Sequence, residues 1–324
     1  YCQETVGGEV QQSLWAGERN QLTAGVEGRD DRVDIDEVLN SINESTFTVG
    51  AYLQDEIRLT EAWRLTLGVR NDRNSDYDAA WSPRAGLLWK AFEGTEFYGS
   101  INRAYRAPSL SDRFVRTEYN GMLFEGNPDL DPEILTAFEV GMRSRIGKSV
   151  ATELTAFQND LKDSFDFMMM SDGTFRNANV TRSQVAGVEA SVEWTLGTEW
   201  STYARYTFMD GDYDEFPQDP RVEGNQLAYL VKNQAAVGVQ YARSNGFSVL
   251  AEGRYVGPRY GDAQNLPENE MDDYTVADLS VRVPVVKHAV ATLSVRNVFD
   301  ASYEEFPGVE QVGQTLMAGM ELTF

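Results

Sequence analysis

The chain has 324 residues, a formal net charge of -23 and a mean hydropathy of -0.42. This acidic balance excludes nucleic acid as a favoured partner, because phosphate binding needs concentrated lysine and arginine. The single histidine, His288, and the single cysteine, Cys2, leave no internal disulfide and too few ligands for most zinc or haem sites.

No run of 18 apolar residues is present, so the sequence predicts no transmembrane helix. A membrane-spanning β-strand needs only about ten residues with every second one apolar. Low overall hydropathy therefore leaves a membrane β-barrel open.

Alternating apolar and polar residues predict about fifteen strands along the chain. The central residues of these strands are 10–15, 22–27, 46–59, 63–70, 79–89, 95–105, 137–145, 150–157, 186–194, 200–208, 235–241, 247–255, 277–283, 289–299 and 316–324. Polar segments between them predict loops, among them Asp30–Glu37 continuing to Ser45, Met168–Asn179, Asp210–Asn225 and Pro258–Asp273.

Short turns such as AFEG, IGK, LGTE and RSNG alternate with longer loops. An antiparallel meander with its short turns at one end and its long loops at the other is typical of an outer-membrane barrel. A soluble sandwich mixes turn lengths at both ends through Greek-key connections. The sequence therefore predicts an all-β, up-and-down transmembrane β-barrel, with one polar face and one apolar face along its strands.

Two motifs stand out between Arg103 and Glu133: RAYRAPSLSDRF, and NPDLDPE after a short polar and aromatic insert. Pro108 ends the preceding strand, because proline cannot donate to a strand ladder. At Tyr105–Pro108 and Asn127–Leu130 the chain resembles TonB-dependent outer-membrane receptors, whose barrels carry YRAP-type and NPDL-type boxes flanking one extracellular loop. The segments NVTRSQVAGVEASVEW, RYVGPRY and LSVRNVFDASYE and the terminal Phe324 are similar to the same family.

This resemblance implies a barrel of about 22 strands whose interior is filled by a plug. Residues 1–324 are then expected to be the C-terminal portion of the barrel, with the plug, the TonB-contacting segment and roughly seven strands lying upstream. The implied function is an outer-membrane receptor of a Gram-negative bacterium that imports a scarce nutrient, most readily a ferric siderophore, with energy supplied through TonB. Outer-membrane lipid and lipopolysaccharide are the further expected partners.

Several alternatives stay open. A passive porin-like channel needs no plug, and a barrel enzyme needs a catalytic constellation, which the sequence lacks. We therefore expect no catalytic residue, no cofactor and no metal site. Haem receptors of the family carry a histidine between the two boxes, and residues 109–126 contain none. The motif DGDYDE, from Asp210 to Glu215, lacks the distal ligands of an EF-hand and is read as a solvated acidic loop.

Arginine gives two-point contacts to anionic oxygens, and tyrosine combines a stacking surface with a hydroxyl. Ligand contacts are therefore expected from the insert and from the two long loops that follow. The ligand-binding candidates are Tyr105, Arg106, Arg113, Arg116, Tyr119, Tyr213, Phe216, Arg221 and Tyr260. Replacing Arg113 and Arg116 with alanine is expected to weaken uptake without affecting assembly.

Other arginines fall on the polar faces of predicted strands, where we expect an ion-pair lattice with the abundant acids. They are Arg70, Arg205, Arg254, Arg282 and Arg296. The chain portion on its own is expected not to form a stable barrel, because its two edge strands lack partners.

Overall fold

A computed structural model describes residues 2–36, 41–77, 79–119, 121–170 and 173–323. Seventeen strands belong to one sheet. Fifteen of them follow an antiparallel meander, as the sequence predicted. Within the described ranges no pairing joins the first strand to the last, so the sheet is an open portion of a barrel.

The meander strands are β1 Cys2–Ala16, β2 Asn20–Asp36, β3 Ser41–Arg58, β4 Trp63–Asn74, β5 Ala80–Phe92, β6 Thr95–Arg106, β9 Glu133–Ile146, β10 Val150–Met169, β11 Phe175–Leu196, β12 Trp200–Glu215, β13 Asn233–Ala242, β14 Ser248–Val256, β17 Tyr274–Val286, β18 Ala289–Arg296 and β21 Thr315–Leu322. The connections contain the short helix α1 Leu110–Phe114, the hairpin β7 Arg116–Tyr119 and β8 Met122–Glu125, and the short pairs β15 Arg259–Tyr260 with β16 Glu270–Met271 and β19 Glu304–Phe306 with β20 Val309–Glu310. Single 3₁₀ turns lie at Pro220–Val222 and Pro267–Asn269.

The two ends of the sheet differ. Residues 17–19, 59–62, 93–94, 147–149, 197–199, 243–247 and 287–288 make short connections at one end, here called the turn end. The opposite end, here called the loop end, carries residues 107–132, 216–232, 257–273 and 297–314. This asymmetry is typical of outer-membrane barrels, in which long loops face outwards.

Alternation gives the sheet one apolar face exposed along its whole width. Val10, Leu53, Val140, Val237 and Leu316 are between 51% and 78% exposed. Near the turn end the same face carries stacked aromatic rings, including Trp63 against Trp89 at 5.2 Å and Trp200 near Tyr241 at 4.7 Å. An apolar band bordered by aromatic side chains is the surface that a barrel presents to lipid.

Within the described ranges, no helix has the length and apolar character needed to cross a membrane.

Three predicted loops were too long. Asp30–Asp36 and Ser41–Ser45 belong to β2 and β3, residues 168–169 and 175–179 belong to β10 and β11, and Asp210–Glu215 ends β12. Residues 37–40 and 171–172 lie outside the described ranges. Charged residues are frequent in these strand ends, for example Arg32 paired with Asp30 on one face, and this composition predicted a loop even where Val33 and Ile35 alternate with charged residues. At about 3.3 Å per residue, β10 and β11 are far longer than a membrane crossing needs, and their ends extend beyond it as a hairpin.

Candidate functional site

The two sequence boxes form one folded segment at the loop end. β6 ends at Arg106 and β9 begins at Glu133, directly opposite it in the ladder. Ser109 then caps α1: its hydroxyl accepts a hydrogen bond from the Asp112 amide at 3.1 Å, and the Asp112 carboxylate accepts one from the Ser109 amide at 2.9 Å. This reciprocal capping box explains why a five-residue helix forms after Pro108.

Arg113 joins the boxes to each other. Its Nε and Nη2 donate to the carbonyl of Pro128 at 3.1 and 3.0 Å, and its Nη1 lies 2.9 Å from the Asp76 carboxylate. The arginine is only 6% exposed. Gly126 permits this approach, because a Cβ there would lie 2.5 Å from the carbonyl carbon of Arg113. Arg113 therefore positions the second box through contacts within the protein, and its predicted contact with a ligand stays a prediction.

Asp76 has a lowered pKa. Burial raises the pKa of this carboxyl group, but hydrogen bonds from Thr46 and Arg113, together with the charge of Arg113, outweigh burial and lower it. The carboxylate therefore stays ionised opposite Arg113 over the whole neutral range.

Two asparagines of β11 hold the two-box segment, one contacting each motif. Asn179 donates to the carbonyls of Asp131 and Asp163 at 2.8 and 2.7 Å and accepts the Asp131 amide at 2.9 Å. Asn177, 4% exposed, donates to the carbonyl of Asp112 at 2.9 Å. These polar contacts, which the sequence reasoning missed, fix both boxes against one strand. Their signal in the sequence is the spacing of two asparagines at alternate positions of a strand, on one face.

Apolar contacts complete the anchoring. Leu110 packs with Val33 and Ile42 of β2 and β3, and Phe114 and Val115 pack against this cluster. Leu130 of the second box is 2% exposed. The segment from 107 to 132 is thus fastened to β2, β3 and β11, and much of its apolar surface is buried.

Arg106 is held at the base of this segment. Its Nη2 donates to Glu133 at 2.7 Å, its Nε forms a second, short contact with the same carboxylate, and its guanidinium lies 4.4 Å from the centre of the Phe165 ring. Glu133 also accepts the Ser164 hydroxyl and the Phe165 amide. Because 64% of the Arg106 side chain is exposed, it remains accessible beside an aromatic ring, although Glu133 neutralises its charge.

Arg116 and Tyr119 lie on the β7–β8 hairpin. Arg116 is 3.0 Å from Glu125, which also binds Arg176 at 3.2 Å, and half of each arginine side chain is exposed. The backbone of Tyr119 pairs with Met122, and its side chain lies outside what the structure describes. Tyr105 is half-buried in β6, opposite Ile134.

The remaining candidates belong to a second body, formed by the long connections of the C-terminal half. Tyr213 packs edge to face on Phe216 at 5.2 Å, and Phe216 is 8% exposed. The Tyr260 carbonyl accepts the Tyr229 amide at 2.7 Å. Arg221 is 90% exposed and pairs with Asp219 at 2.7 Å. Phe216 is therefore largely buried and Arg221 is accessible, and the predicted ligand contacts of both stay predictions.

The same body contains residues that sequence reasoning missed. Tyr274 stacks on Tyr303 at 4.2 Å beside Val231, Val256 and Val276. Arg259, 5% exposed, donates to the Glu304 carbonyl at 2.9 Å. These contacts join three successive connections into one packed layer above the sheet.

The two-box segment, residues 107–132, is the first body, and it meets the second body at the tip of β10 and β11. Phe124 of the two-box segment contacts the rings of Phe167 and Phe175 at 5.2 and 5.0 Å. Gln218 donates to the Phe167 carbonyl at 3.4 Å from the other side. The structure thus brings the predicted regions to one end of the sheet and links them through this hairpin.

The polar face below carries part of the predicted lattice. Arg70 binds Asp72 and Glu27 at 2.6 and 2.8 Å, and Arg282 binds Glu321 at 2.7 Å. Arg205 lies 3.7 Å from Glu193. Arg254 and Arg296 have no acid within ion-pair distance in the described part of the chain, so the lattice is incomplete. In the same ranges, no group of three or more His, Cys, Asp or Glu side chains is placed to hold a metal ion.

Comparison with known proteins agrees with this architecture. Residues 3–298 match the family described as TonB dependent receptor-like, beta-barrel. A relative from Vibrio cholerae serotype O1, the iron-regulated outer membrane virulence protein, is 25% identical over 330 residues, covering 94% of this chain and 49% of its own length. The chain thus spans about half the length of the curated relatives it matches.

Solved structures share the fold. The siderophore receptor PirA of Acinetobacter baumannii superposes with a TM-score of 0.82 at 18% identity, covering 99% of this chain and 55% of PirA. A variant of the ferric enterobactin receptor PfeA of Pseudomonas aeruginosa gives 0.81 at 19% identity, with 99% and 54% covered. The copper transporter OprC gives 0.79 at 17% identity, with 99% and 57% covered. An exposed apolar band, an asymmetric antiparallel meander and a match over most of its length place this chain in the outer membrane as a member of the TonB-dependent receptor β-barrel family.

Proposed function

We propose that the whole protein is an outer-membrane receptor that binds a ferric siderophore and imports it with energy supplied through TonB. The observation that carries this proposal is the loop end. There, two packed bodies meet above the polar face of the meander sheet, here called the wall. A receptor of this kind needs a shaped entrance fixed on a rigid barrel, since binding loops work best when a scaffold positions them.

The relatives support an iron-related nutrient. The Vibrio cholerae relative is named for iron regulation, and two of the structural neighbours are named as siderophore or ferric enterobactin receptors. The copper transporter has the same fold, so the fold alone does not choose the substrate. No catalytic role is proposed.

The ligand contacts proposed here are the accessible members of the predicted set. Arg106 and Arg116 present guanidinium groups on the two-box segment, with side chains 64% and 50% exposed. On the second body, Arg221 presents an exposed guanidinium group and Tyr260 a half-buried phenol side chain. Arg113, Phe216 and Tyr213 hold the loops on which these groups lie. The upstream plug and TonB-contacting segment remain part of the proposal, with residues 1–324 as the C-terminal portion of the barrel, and the apolar band is proposed to contact membrane lipid and lipopolysaccharide.

The test uses the full-length gene in a Gram-negative host that lacks its own ferric siderophore receptors. Under iron limitation, the receptor should restore growth and uptake of radioactive iron with at least one ferric siderophore, and deletion of tonB should abolish both. Uptake that persists without TonB would indicate the passive porin-like channel instead. Absence of uptake with hydroxamate, catecholate and carboxylate complexes would contradict an iron-siderophore substrate.

A further inference from the structure

The apolar face of the sheet has a border on its loop-end side. β5 carries a tryptophan near each of its ends on this face, Trp81 and Trp89, and Trp81 is 56% exposed. At about 3.3 Å per residue, the distance between them along the strand is about 26 Å, comparable with the roughly 25 Å height of the apolar band of a membrane barrel. Because tryptophan is enriched at membrane–water interfaces, Trp81 marks the level of the lipid headgroups at the loop end.

Two exposed arginines lie beside Trp81 on the neighbouring strands. Arg73 of β4 is on the same face as Val69, which is 39% exposed, and is close to the end of the strand. Arg103 of β6 follows Ile101, which is 43% exposed, at the next position of that face. Since alternate residues of a strand share a face, both arginines lie on the apolar face near its loop-end border.

Neither arginine has an acid partner. Arg73 and Arg103 form no ion pair in the described ranges, whereas Arg32 of β2, on the same face, lies 2.8 Å from Asp30. A charged group at the edge of the hydrocarbon region needs a counter-ion or water, because hydrocarbon solvates it poorly. The two unpaired guanidinium groups therefore favour an anion that comes from outside the chain.

An acid on the same face does not supply this counter-ion. Thr136 lies opposite Arg103, and Asp160 lies opposite Thr136 on the next strand. The Asp160 carboxylate accepts hydrogen bonds from Gln158 and Gln184 at 3.2 and 2.7 Å, and it forms no ion pair in the part of the chain that the structure describes. In a chain with a net charge of -23, this sector of unpaired cations is an exception, and its place at the lipid border indicates anionic headgroups as its partner.

We propose, resting on the lipid contact proposed above, that Arg73, Trp81 and Arg103 form a discrete binding site for the phosphate groups of lipopolysaccharide. A guanidinium group donates two parallel hydrogen bonds to a phosphate, and the charges strengthen both. The tryptophan between the arginines combines an indole N–H donor with an apolar ring for the adjoining acyl chains. The site thus holds one glycolipid at β4–β6, while the rest of the apolar band contacts lipid without selecting it.

The first measurement counts the lipid molecules retained by the purified full-length receptor in detergent, by native mass spectrometry. The probes are lipid A with two phosphates, the same lipid after enzymatic removal of both phosphates, and phosphatidylglycerol. The diphosphorylated form should bind on the order of tenfold more tightly than the dephosphorylated form, because a charge-assisted hydrogen bond contributes about that factor or more. Equal retention of the two forms, or equal or tighter retention of phosphatidylglycerol, would overturn the proposal.

Double variants locate the site. Arg73→Gln with Arg103→Gln should remove most of the preference for diphosphorylated lipid A, and Arg73→Lys with Arg103→Lys, which keeps the charge without the fork, should retain part of it. The matched control is Arg84→Gln with Arg254→Gln, which removes two arginines without an acid partner in the described ranges from the opposite, polar face, where Arg84 lies over Gly68. This control should leave the preference unchanged. No loss in the first variant, or an equal loss in the control, would also overturn the proposal.

The measurements separate this site from the proposals on which it rests. If the wild type retains neither form of lipid A, the proposed contact with lipopolysaccharide fails together with the site. If it retains both forms alike, the lipid contact stands and only the phosphate site is rejected. The assay contains no siderophore, so its outcome does not depend on the proposed import.

Discussion

Tyr203 in the wall and Arg113 at the loop end each connect three segments of the chain, but by different routes. The Tyr203 ring lies across Gly238 of the adjacent strand, and its hydroxyl donates to Glu252 on the next strand at 2.5 Å. Arg113 instead reaches a carboxylate and a carbonyl that no strand register aligns.

Two other tyrosines of the wall make the same contact as Tyr203. Tyr52 lies over Gly25 and binds Glu9, and Tyr98 lies over Gly141 and binds Glu153, each skipping one strand. In both cases a Cβ on the glycine would come within 2.4 Å of the tyrosine side chain. An arginine lies over each of the three rings, Arg70 over Tyr52, Arg143 over Tyr98 and Arg205 over Tyr203. Strand register therefore aligns much of the polar face, whereas the loop end depends on individual side-chain contacts that no register aligns.

The largest effect is expected from breaking the loop contact with Arg113→Ala. Removing one partner of a buried ion pair costs about 3–5 kcal/mol, and the lower end applies because the Asp76 side chain is 26% exposed. Hydrogen exchange of the full-length receptor should show faster exchange in residues 107–132 with unchanged protection of the wall.

Two further variants sharpen that result. Arg221→Ala removes an arginine that is 90% exposed and should change neither exchange nor assembly. Arg113→Lys keeps the charge but loses the forked geometry and should give an intermediate effect. Equal exchange in Arg113→Ala and the wild type would show that α1 and the second box are held without this arginine. Since Arg113 anchors the loop, weaker uptake in an Arg113 and Arg116 double variant would no longer identify a ligand contact.

A smaller effect is expected from Gly238→Ala, which disrupts the packing of the Tyr203 ring over Gly238 in the wall. The added Cβ would lie 2.2 Å from the Tyr203 ring, so the ring must leave Gly238 and its hydrogen bond to Glu252, at a cost of about 1–3 kcal/mol. The midpoint of heat-induced unfolding in the gel-shift assay should fall for the full-length barrel.

The matched control for this wall variant is Gly86→Ala, a strand glycine whose Cβ would meet only ordinary contacts at 3.8 Å. The double variant Tyr203→Ala with Gly238→Ala should be less destabilised than the two single effects added together, because the clash is absent. If Gly86→Ala and Gly238→Ala shift the midpoint equally, the ring-over-glycine contact contributes nothing specific.

The Asn179 contact shares features of both the wall and the loop end, because a side chain on a strand binds the backbone of a loop. Asn179→Ala removes three hydrogen bonds and leaves the carbonyls of Asp131 and Asp163 without this donor, at a cost of about 1–2 kcal/mol. Exchange at residues 127–132 should rise while residues 109–114, which are also held by Arg113 and Leu110, change less. A uniform increase over the whole segment would mean that the two boxes open as one unit.

The same difference explains what could be predicted from the sequence. Alternation in segments such as Trp63–Arg70 predicted the wall, because each strand faces lipid on one side and polar groups on the other. It failed for Asp30–Asp36 and Asp210–Glu215, where charged residues predominate although the backbone stays paired. At the loop end the motifs located the folded segment, but the sequence could not reveal that Arg113 is buried, since its partner Asp76 lies in a different connection.

The smallest effect expected is a response of the two-box segment to acid. The pKa of Asp76 is lowered in the folded protein, so this carboxylate binds fewer protons there than in the unfolded chain. Its contribution to stability is therefore complete above the ordinary carboxyl value of 3.8 and is lost as the pH falls through the lower folded value. Exchange or limited proteolysis at residues 107–132 should be constant from neutral pH to about pH 5 and should increase below pH 4.

Asp76→Asn, which keeps the shape but not the charge, should show faster exchange of this segment at neutral pH and should lose this part of the acid response. If the wild type and Asp76→Asn respond identically to acid, protonation of other carboxylates releases the segment and the Asp76–Arg113 pair does not control it.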